Sequence, residues 1–167
     1  MGRRLLGAFL GSLLLRSGLL LRSSGFFAFG DKSEGSGWGN RLAQRGYVVV
    51  SINYRLSPAL VVAPVDTPLE VDEINDARED MQTAVRWLRA NAAGLRIDAD
   101  RIAVGGTSAG AVTALGAAVN NDDPAVAEYA GYSSAVCTAV SYSGANDPAL
   151  VDPGDAGAIF HHGVLDT

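Results

Sequence analysis

From residue 36 onward, hydrophobic residues fall into blocks whose spacing predicts alternating helices and strands. Trp38–Arg45 has the pattern of a short helix, and Gly46 is placed to end it. Tyr47–Tyr54 follows as a run of β-branched and aromatic residues without a charge, which predicts a buried strand. Three prolines between Ser57 and Leu69 each remove a backbone donor, so this stretch is expected to be a long surface loop.

The next block predicts a helix that begins at Asp76 and ends at Gly94. Asp76 is followed three residues later by Glu79, which is the arrangement of a capping box. The turn-forming run Asp98–Asp100 is then expected to separate this helix from the next strand. Four apolar residues recur at helical spacing and define the face expected to be buried: Ala77, Met81, Ala84 and Leu88.

Three further strands and one helix complete the pattern. Arg101–Gly105 predicts a short strand, and the alanine-rich segment Ala109–Asn120 predicts a helix. Ala135–Tyr142, with Cys137 expected as a small buried hydrophobe, and Gly157–His162 supply two more strand candidates. Strands that alternate with helices in this order predict an α/β fold, with a mostly parallel sheet covered by helices on both faces.

Residues 1–22 have a different composition from the rest of the chain. They contain four arginines, nine leucines and no acidic residue, whereas residues 23–167 hold all 18 acidic residues. The segment is too short, and too interrupted by Arg16, to span a bilayer. Three interpretations stay open: an aberrant N-terminus, a signal or targeting peptide, or a strand of the core. The sequence therefore predicts one domain over residues 23–167 and leaves open whether the protein is cytoplasmic or secreted.

Composition and charge narrow the possible functions. The 167 residues are 48% hydrophobic and 19% charged, which is typical of a globular domain. The net charge is −5 and no basic stripe is present, so we expect no nucleic acid partner. A single cysteine excludes an internal disulfide, and two histidines without a Cys-x-x-Cys companion exclude a structural zinc site.

The most informative motif joins a predicted strand to a predicted helix. Gly106-Thr-Ser-Ala-Gly110 has the form G-x-S-x-G, in which a serine lies on a sharp strand-to-helix turn between glycines that prevent clashes. In such a nucleophile elbow Ser108 would face a cleft, and the backbone N–H of Ala109 would point at a carbonyl oxygen under attack. A plain glycine turn and a phosphate loop stay open as alternatives, although the spacing fits neither a Walker-type loop nor a dinucleotide fingerprint.

Three segments together resemble the α/β-hydrolase superfamily, and within it the carboxylesterase and lipase branch: Gly46–Leu56, Ala84–Leu88 and Asp98–Gly110. The resemblance extends over roughly residues 25–167. It implies an α/β-hydrolase fold, a small-molecule ester as substrate, and acyl transfer through Ser108 with no metal or organic cofactor. A serine peptidase of the same superfamily and a hydrolase-like domain without turnover are the alternatives.

The resemblance also gives a role to the last residues. His161-His-Gly-Val-Leu-Asp166 is similar to the His-Gly-x-x-Asp segment that carries the acid of the catalytic triad, so Asp166 is expected to be that acid. In this fold the chain order is serine, acid, histidine. Both histidines precede Asp166, and an ordinary hydrogen-bonding role is expected of them. The fold is therefore expected to be incomplete at the C-terminus, and the activity of this chain alone is left open.

The expected oxyanion hole departs from the pattern of these esterases, which have a His-Gly-Gly-Gly-aromatic stretch before the first helix. Arg22–Phe26 occupies that place here. The main-chain N–H groups of Ser24 and Gly25 are the expected donors beside Ala109, because the donor in such a site is the backbone. The strand before them must come from the arginine-interrupted leucines. These departures favour a truncated or altered coding region.

The remaining candidates are expected to be mainly structural. Asp80 is placed near the start of its helix, where the helix dipole favours a carboxylate. Phe26, Phe27 and Phe29 have two possible roles, as a pocket wall or as an anchor that holds the first loop in the core. Ser143-Gly144 is expected to end a strand close to the cleft.

Overall fold

A computed structural model of the chain describes residues 16–22, 27, 30–56, 68–122, 128–144 and 151–161. Its strands are β1 (Arg16–Arg22), β2 (Val48–Ser51), β3 (Ile97–Thr107), β4 (Thr138–Tyr142) and β5 (Gly157–His161). Its helices are α1 (Ser36–Ala43), α2 (Pro68–Ala90), α3 (Ala92–Leu95) and α4 (Ala109–Val119), and a single 3-10 turn, Lys32–Gly35, precedes α1. The strands form one sheet in the order β2-β1-β3-β4-β5, and each neighbouring pair is parallel.

The strand β1 lies inside the sheet, between β2 and β3. Gly18–Leu21 pairs with Val48–Ser51 on one side, and Gly18–Arg22 pairs with Ile102–Gly106 on the other. Part of the leucine-rich segment therefore belongs to the sheet, as the core-strand interpretation requires. Residues 1–15 lie outside the described residues, and the domain boundaries stay a prediction.

Helices cover both faces of the sheet. α4 packs on β1, β3 and β4, and α2 packs on α4. Ala139 and Ser141, two residues apart on the same face of β4, are buried. This face is the one that α4 covers, because the Ser141 hydroxyl lies close to Gly144, which contacts α4. Successive side chains of a strand point to opposite faces, so Tyr142, whose ring lies 5.4 Å from that of Trp38, places α1 on the other face. The predicted fold class is confirmed.

The main core lies between α2, α4 and the sheet. Its side chains are aliphatic and nearly fully buried, so each contributes about 1.5–3 kcal/mol of transfer free energy. On α2 the predicted face is correct for Ala77, Met81 and Leu88, whereas Ala84 is only partly buried. The largest buried members from the helices and strands are Met81, Val85, Leu88, Ile97, Ile102, Val104 and Leu115.

The helix α2 begins earlier than its sequence predicts. Its first residue is Pro68, which is compatible with a helix because a proline at the first position lacks only an N–H that has no intrahelical partner. Asp76 and Glu79 lie inside the helix, so the predicted capping box is wrong; both side chains bind Arg55 instead. The predicted end at Gly94 is also displaced, since α2 ends at Ala90 and Gly94 lies in α3. Residues 57–67 of the predicted loop lie outside the described residues.

Two further predictions are wrong. Asp98–Asp100 does not separate two elements, because β3 runs through it. The pairing of β3 with β1 is irregular at this point. The amide of Asp100 also donates to the carboxylate of Asp98 at 3.0 Å, as in a turn. Cys137 is exposed rather than buried, because it precedes β4 and only its amide takes part in pairing, with Ile102. The predicted end of α1 is close, with Gly46 at φ 91° three residues after Ala43.

In the part of the chain that the structure describes, no helix combines the length and the apolar character needed to cross a membrane.

Candidate active site

Ser108 is the single residue between β3 and α4, and its backbone is strained. β3 ends at Thr107 and α4 begins at Ala109. The backbone angles of Ser108 are φ 53° and ψ −121°, a combination that a residue with a side chain rarely adopts. Conformations of this kind cost about 1–3 kcal/mol and cluster at active sites. The chain therefore makes the sharp strand-to-helix turn that the motif predicts.

The side chain of Ser108 is partly exposed, and it accepts no hydrogen bond from the first turn of α4. The first N–H groups of a helix have no acceptor within the helix, and the partial positive charge of the helix is concentrated there. Ala109, the first residue of α4, is buried. An oxygen atom held above Ser108 would thus lie at the positive end of a buried helix.

The two glycines of the motif are buried on either side of the turn. Gly106 is flanked in the sheet by two strands, since its Cα partners are Arg22 of β1 and Ser141 of β4. Gly110 is the second residue of α4. The absence of a side chain at both positions allows the strand and the helix to approach each other closely.

Strand pairing continues past the end of β3 and of β4. The N–H of Ser108 donates to the C=O of Tyr142 at 2.9 Å, and the N–H of Ser143 donates to the C=O of His161 at the same distance. Both serines have a positive φ, 53° for Ser108 and 56° for Ser143. The main chain of the neighbouring strand therefore helps to fix each turn. Ser143 ends its strand as the sequence predicts.

The two described residues that border the expected oxyanion donors in the sequence, Arg22 and Phe27, both lie near the turn at Ser108. Arg22, the last residue of β1, pairs with Gly106. Phe27 is 8% exposed, with its ring 5.9 Å from that of Tyr54, in a cluster that includes Ala109. Of the two roles predicted for Phe27, the structure shows the anchor; Phe26 and Phe29 lie outside the described residues, as do Ser24 and Gly25.

The predicted acid, Asp166, lies outside the described residues, and so does His162. His161 is exposed at the end of β5, and its ring lies 5.4 Å from that of Tyr142. The ring contact and the bond from Ser143 to its carbonyl give His161 a structural role at the edge of the sheet. Within the described ranges, no group of three or more histidine, cysteine, aspartate or glutamate side chains is arranged so that it could hold a metal ion.

The sequence reasoning missed a cluster of charges around Arg55. Its guanidinium binds Asp76 at 2.7 Å, Glu79 at 3.2 Å and Asp80 at 3.0 Å, and its amide donates to Asp80 at 2.6 Å. Burial alone would lower the pKa of Arg55, but the carboxylates, Asp80 first, outweigh it and raise the pKa above its usual value. Asp80 lies well inside α2, which begins at Pro68. Because the helix dipole favours a carboxylate only in the first turn, the predicted helix-dipole role is wrong. The spacing of the three acids at i, i+3 and i+4, which places them on one face of a helix, was an available signal.

A groove of about 640 Å³ lies between the end of β2 and α2. Its lining includes Tyr54, Arg55, Asp80, Trp87 and Tyr129 and no residue of the elbow.

Comparisons with known proteins agree with this geometry. The family model BD-FAE matches residues 22–156. The curated protein Esterase-5B of Drosophila persimilis is 31% identical over 142 residues, which is 84% of this chain but 24% of that protein. The chain therefore spans about a quarter of the length of this relative.

Solved structures share the fold. Esterase 2 of Thermogutta terrifontis with bound butyrate has a TM-score of 0.63 and 24% identity, over 78% of this chain and 43% of that one. The same esterase phosphorylated by paraoxon has a TM-score of 0.68 and 21% identity, over 87% and 58%. The chain covers about half of these structures.

Proposed function

Because the chain belongs to the BD-FAE family of α/β-hydrolase-type esterase domains, we propose that it cleaves carboxylic esters through an acyl-enzyme on Ser108. The observation that carries the proposal is the strained backbone of Ser108 at the junction of β3 and α4, with a hydroxyl that is not used to cap the helix. Strain of this kind persists only where the surrounding structure maintains it. A serine in an ordinary glycine turn does not require a strained backbone.

In the proposed reaction the Ser108 oxygen attacks the ester carbonyl carbon, and the bond to the alcohol oxygen then breaks. The hydroxyl proton passes through a base to the departing alcohol, and water later hydrolyses the acyl-serine. Negative charge develops on the carbonyl oxygen during the attack. The Ala109 N–H donates to that oxygen, and Ser24 and Gly25 supply further main-chain donors. The positions of Arg22 and Phe27 beside the elbow support this last assignment.

The base is a histidine that Asp166 orients, since the chain order in this fold is serine, acid, histidine. We assign the base to neither His161 nor His162, because both precede Asp166. The contact of the His161 ring with Tyr142 supports this choice. Without a base in place, a serine hydroxyl is a weak nucleophile at neutral pH. Residues 1–167 on their own are then expected to acylate slowly and to respond to a base added from solution.

The test measures release of p-nitrophenol from p-nitrophenyl acetate with and without added imidazole. We expect imidazole and the protein together to release p-nitrophenol faster than the sum of their separate rates. Ser108→Ala should abolish this additional rate, called the increment below. Ser36→Ala, which removes an exposed hydroxyl at the start of α1, serves as the matched control and retains the increment. An increment that survives Ser108→Ala contradicts the proposal. A p-nitroanilide of the same acyl group separates the esterase from a peptidase, which would also cleave the amide.

A further inference from the structure

Gly144 lies against the first turn of α4 more closely than any residue with a side chain would allow. A Cβ built on Gly144 would lie 2.5 Å from the Cβ of Ala111, 2.7 Å from the Oγ of Ser141 and 3.0 Å from the carbonyl carbon of Ala111. Contacts below 3.0 Å essentially never occur for real Cβ atoms, and two of these partners are a methyl on a rigid helix and its backbone. Any side chain at position 144 therefore requires the segment after β4, or the first turn of α4, to shift.

This contact is exceptional among the glycines whose surroundings the structure describes. The next shortest distance is 3.5 Å, at Gly39. Gly94, Gly131 and Gly157 have no atom within 4 Å. Gly144 has no positive φ, so its conformation does not demand glycine. Space, rather than backbone geometry, is what glycine provides here.

The contact is directly connected to Ser108. The segment leaving β4 touches the elbow at two points: the carbonyl of Tyr142 accepts the Ser108 N–H at 2.9 Å, and Gly144 presses on Ala111. Ala111 in turn donates its N–H to the carbonyl of Ser108 at 2.8 Å. The two peptide groups on either side of Ser108 are thus both held by residues 142–144, one by a hydrogen bond and the other through Ala111.

We propose that Gly144 is a positioning residue for Ser108. By bringing the end of β4 into contact with Ala111, it maintains the strained φ and ψ of the serine and so the direction of its hydroxyl. Strained conformations persist only when neighbouring contacts over-determine them, and this contact is the one that a single added methyl would open. The catalytic consequence rests on the proposed function, whereas the structural consequence does not.

The test compares Gly144→Ala with Gly131→Ala, an exposed glycine at which an added Cβ meets no atom within 4 Å. Amide hydrogen exchange reports the Ser108 N–H directly and requires no reaction. We expect Gly144→Ala to accelerate exchange at Ser108 about tenfold or more relative to amides in the middle of β3. Gly131→Ala should leave this ratio unchanged.

A second measurement follows the rate at which paraoxon phosphorylates the folded protein, in which the Ser108 oxygen displaces p-nitrophenolate from phosphorus and its proton passes to imidazole. We expect Gly144→Ala to lower this rate by roughly 10- to 100-fold, because a small misplacement of a reacting group has effects of this size. Ala111→Gly removes the nearest of the three atoms that meet the new Cβ and should recover part of the loss when combined with Gly144→Ala. If Gly144→Ala does not fold, Ala111→Ser presses on the same contact from the helix and takes its place.

Unchanged exchange at Ser108 in the folded variant overturns the proposal, and so does a loss that Ala111→Gly fails to recover. Faster exchange at Ser108 together with no phosphorylation of Ser108 in any of the proteins, the parent included, has a different meaning. It supports the positioning contact and contradicts the proposed function.

Discussion

The amide of Ser108 donates to the carbonyl of Tyr142 at 2.9 Å, one residue beyond the end of β3. This bond continues the parallel pairing of β3 with β4, so the serine at the turn is held by the main chain of the neighbouring strand. Its hydroxyl takes no part in capping α4. The position of the turn and the chemistry of its side chain are therefore separate properties that separate experiments can address.

The first prediction concerns the stability of Ser108→Ala. Because the hydroxyl does not cap α4, its removal should change the free energy of unfolding by less than about 1 kcal/mol, as for a substitution that breaks no buried contact. Urea denaturation followed by circular dichroism measures this change. A loss of several kcal/mol would instead identify the hydroxyl as a structural group, as in a plain glycine turn.

The second prediction concerns Phe27, which anchors the segment after β1. Phe27→Ala should lower the free energy of unfolding by about 3 kcal/mol, because a buried ring is lost from the cluster with Tyr54 and Ala109. It should also slow acylation per folded molecule about tenfold, since Phe27 borders the proposed donors Ser24 and Gly25 in the sequence and packs in the cluster with Ala109. Stopped-flow acylation by p-nitrophenyl acetate in the presence of imidazole measures the rate.

Leu88→Ala is the control for Phe27→Ala. Leu88 is fully buried in α2 and belongs to the main core rather than to the Phe27 cluster. It should cost a similar free energy of unfolding and leave acylation per folded molecule unchanged. Equal slowing by both substitutions would show that general loosening, rather than the anchor, sets the rate.

The third prediction concerns Arg55. Arg55→Gln leaves three carboxylates of α2 close together without the cation that binds them. Because the Arg55 side chain is half exposed, we expect the free energy of unfolding to fall by only about 1 kcal/mol. High salt screens the charges and should make this loss smaller. Arg101→Gln, at an exposed position of β3, should have a smaller effect. A salt-independent loss would contradict an electrostatic role for Arg55.

The fourth prediction concerns pH. Hydrogen bonds from Ser33, and then from Asn53, lower the pKa of Asp31 from 3.8 to about 2. The folded state therefore stabilises the ionised carboxylate of Asp31. Its contribution to the free energy of unfolding is present above about pH 4 and is lost as the pH falls through about 2. The stability advantage of the parent over Asp31→Asn should narrow across that interval. Urea titrations at decreasing pH measure it, and a gap that stays constant or widens would contradict the assignment.

Local pattern was sufficient where neighbouring residues alone decide the structure. The strand, turn and helix around Ser108 follow from small residues and spacing within about a dozen positions, and the helix over Ala109–Val119 agrees with its prediction. The family resemblance carried by Gly46–Leu56 and Asp98–Gly110 is confirmed by the matched family. The catalytic roles assigned to Ser108, Ala109, Asp166, Ser24 and Gly25 stay predictions.

Contacts between distant positions were not predictable from local pattern. Arg55 meets acids more than twenty residues away, and Gly144 meets Ala111 across two elements. The helical spacing of the three acids places them on one face but does not indicate that Arg55 is their partner, and the contact of Gly144 with Ala111 leaves no periodic signal. The sequence leaves three interpretations open for β1 because Arg16 and Arg22 lie at its ends, and charges there obscure the apolar run that pairing with β2 and β3 requires. Pro68 was assigned to a loop because a proline that begins a helix and one that excludes a helix look alike in sequence.

The most direct test of the central claim is to locate the residue that reacts. The folded chain is incubated with paraoxon and imidazole, digested, and analysed by mass spectrometry for a diethyl phosphoryl group. We predict a single modified peptide, with the group on Ser108, and no modification of that peptide in Ser108→Ala or in the urea-unfolded chain. A phosphoryl group on another residue, or equal labelling of the folded and unfolded chains, would contradict the claim that the fold activates Ser108.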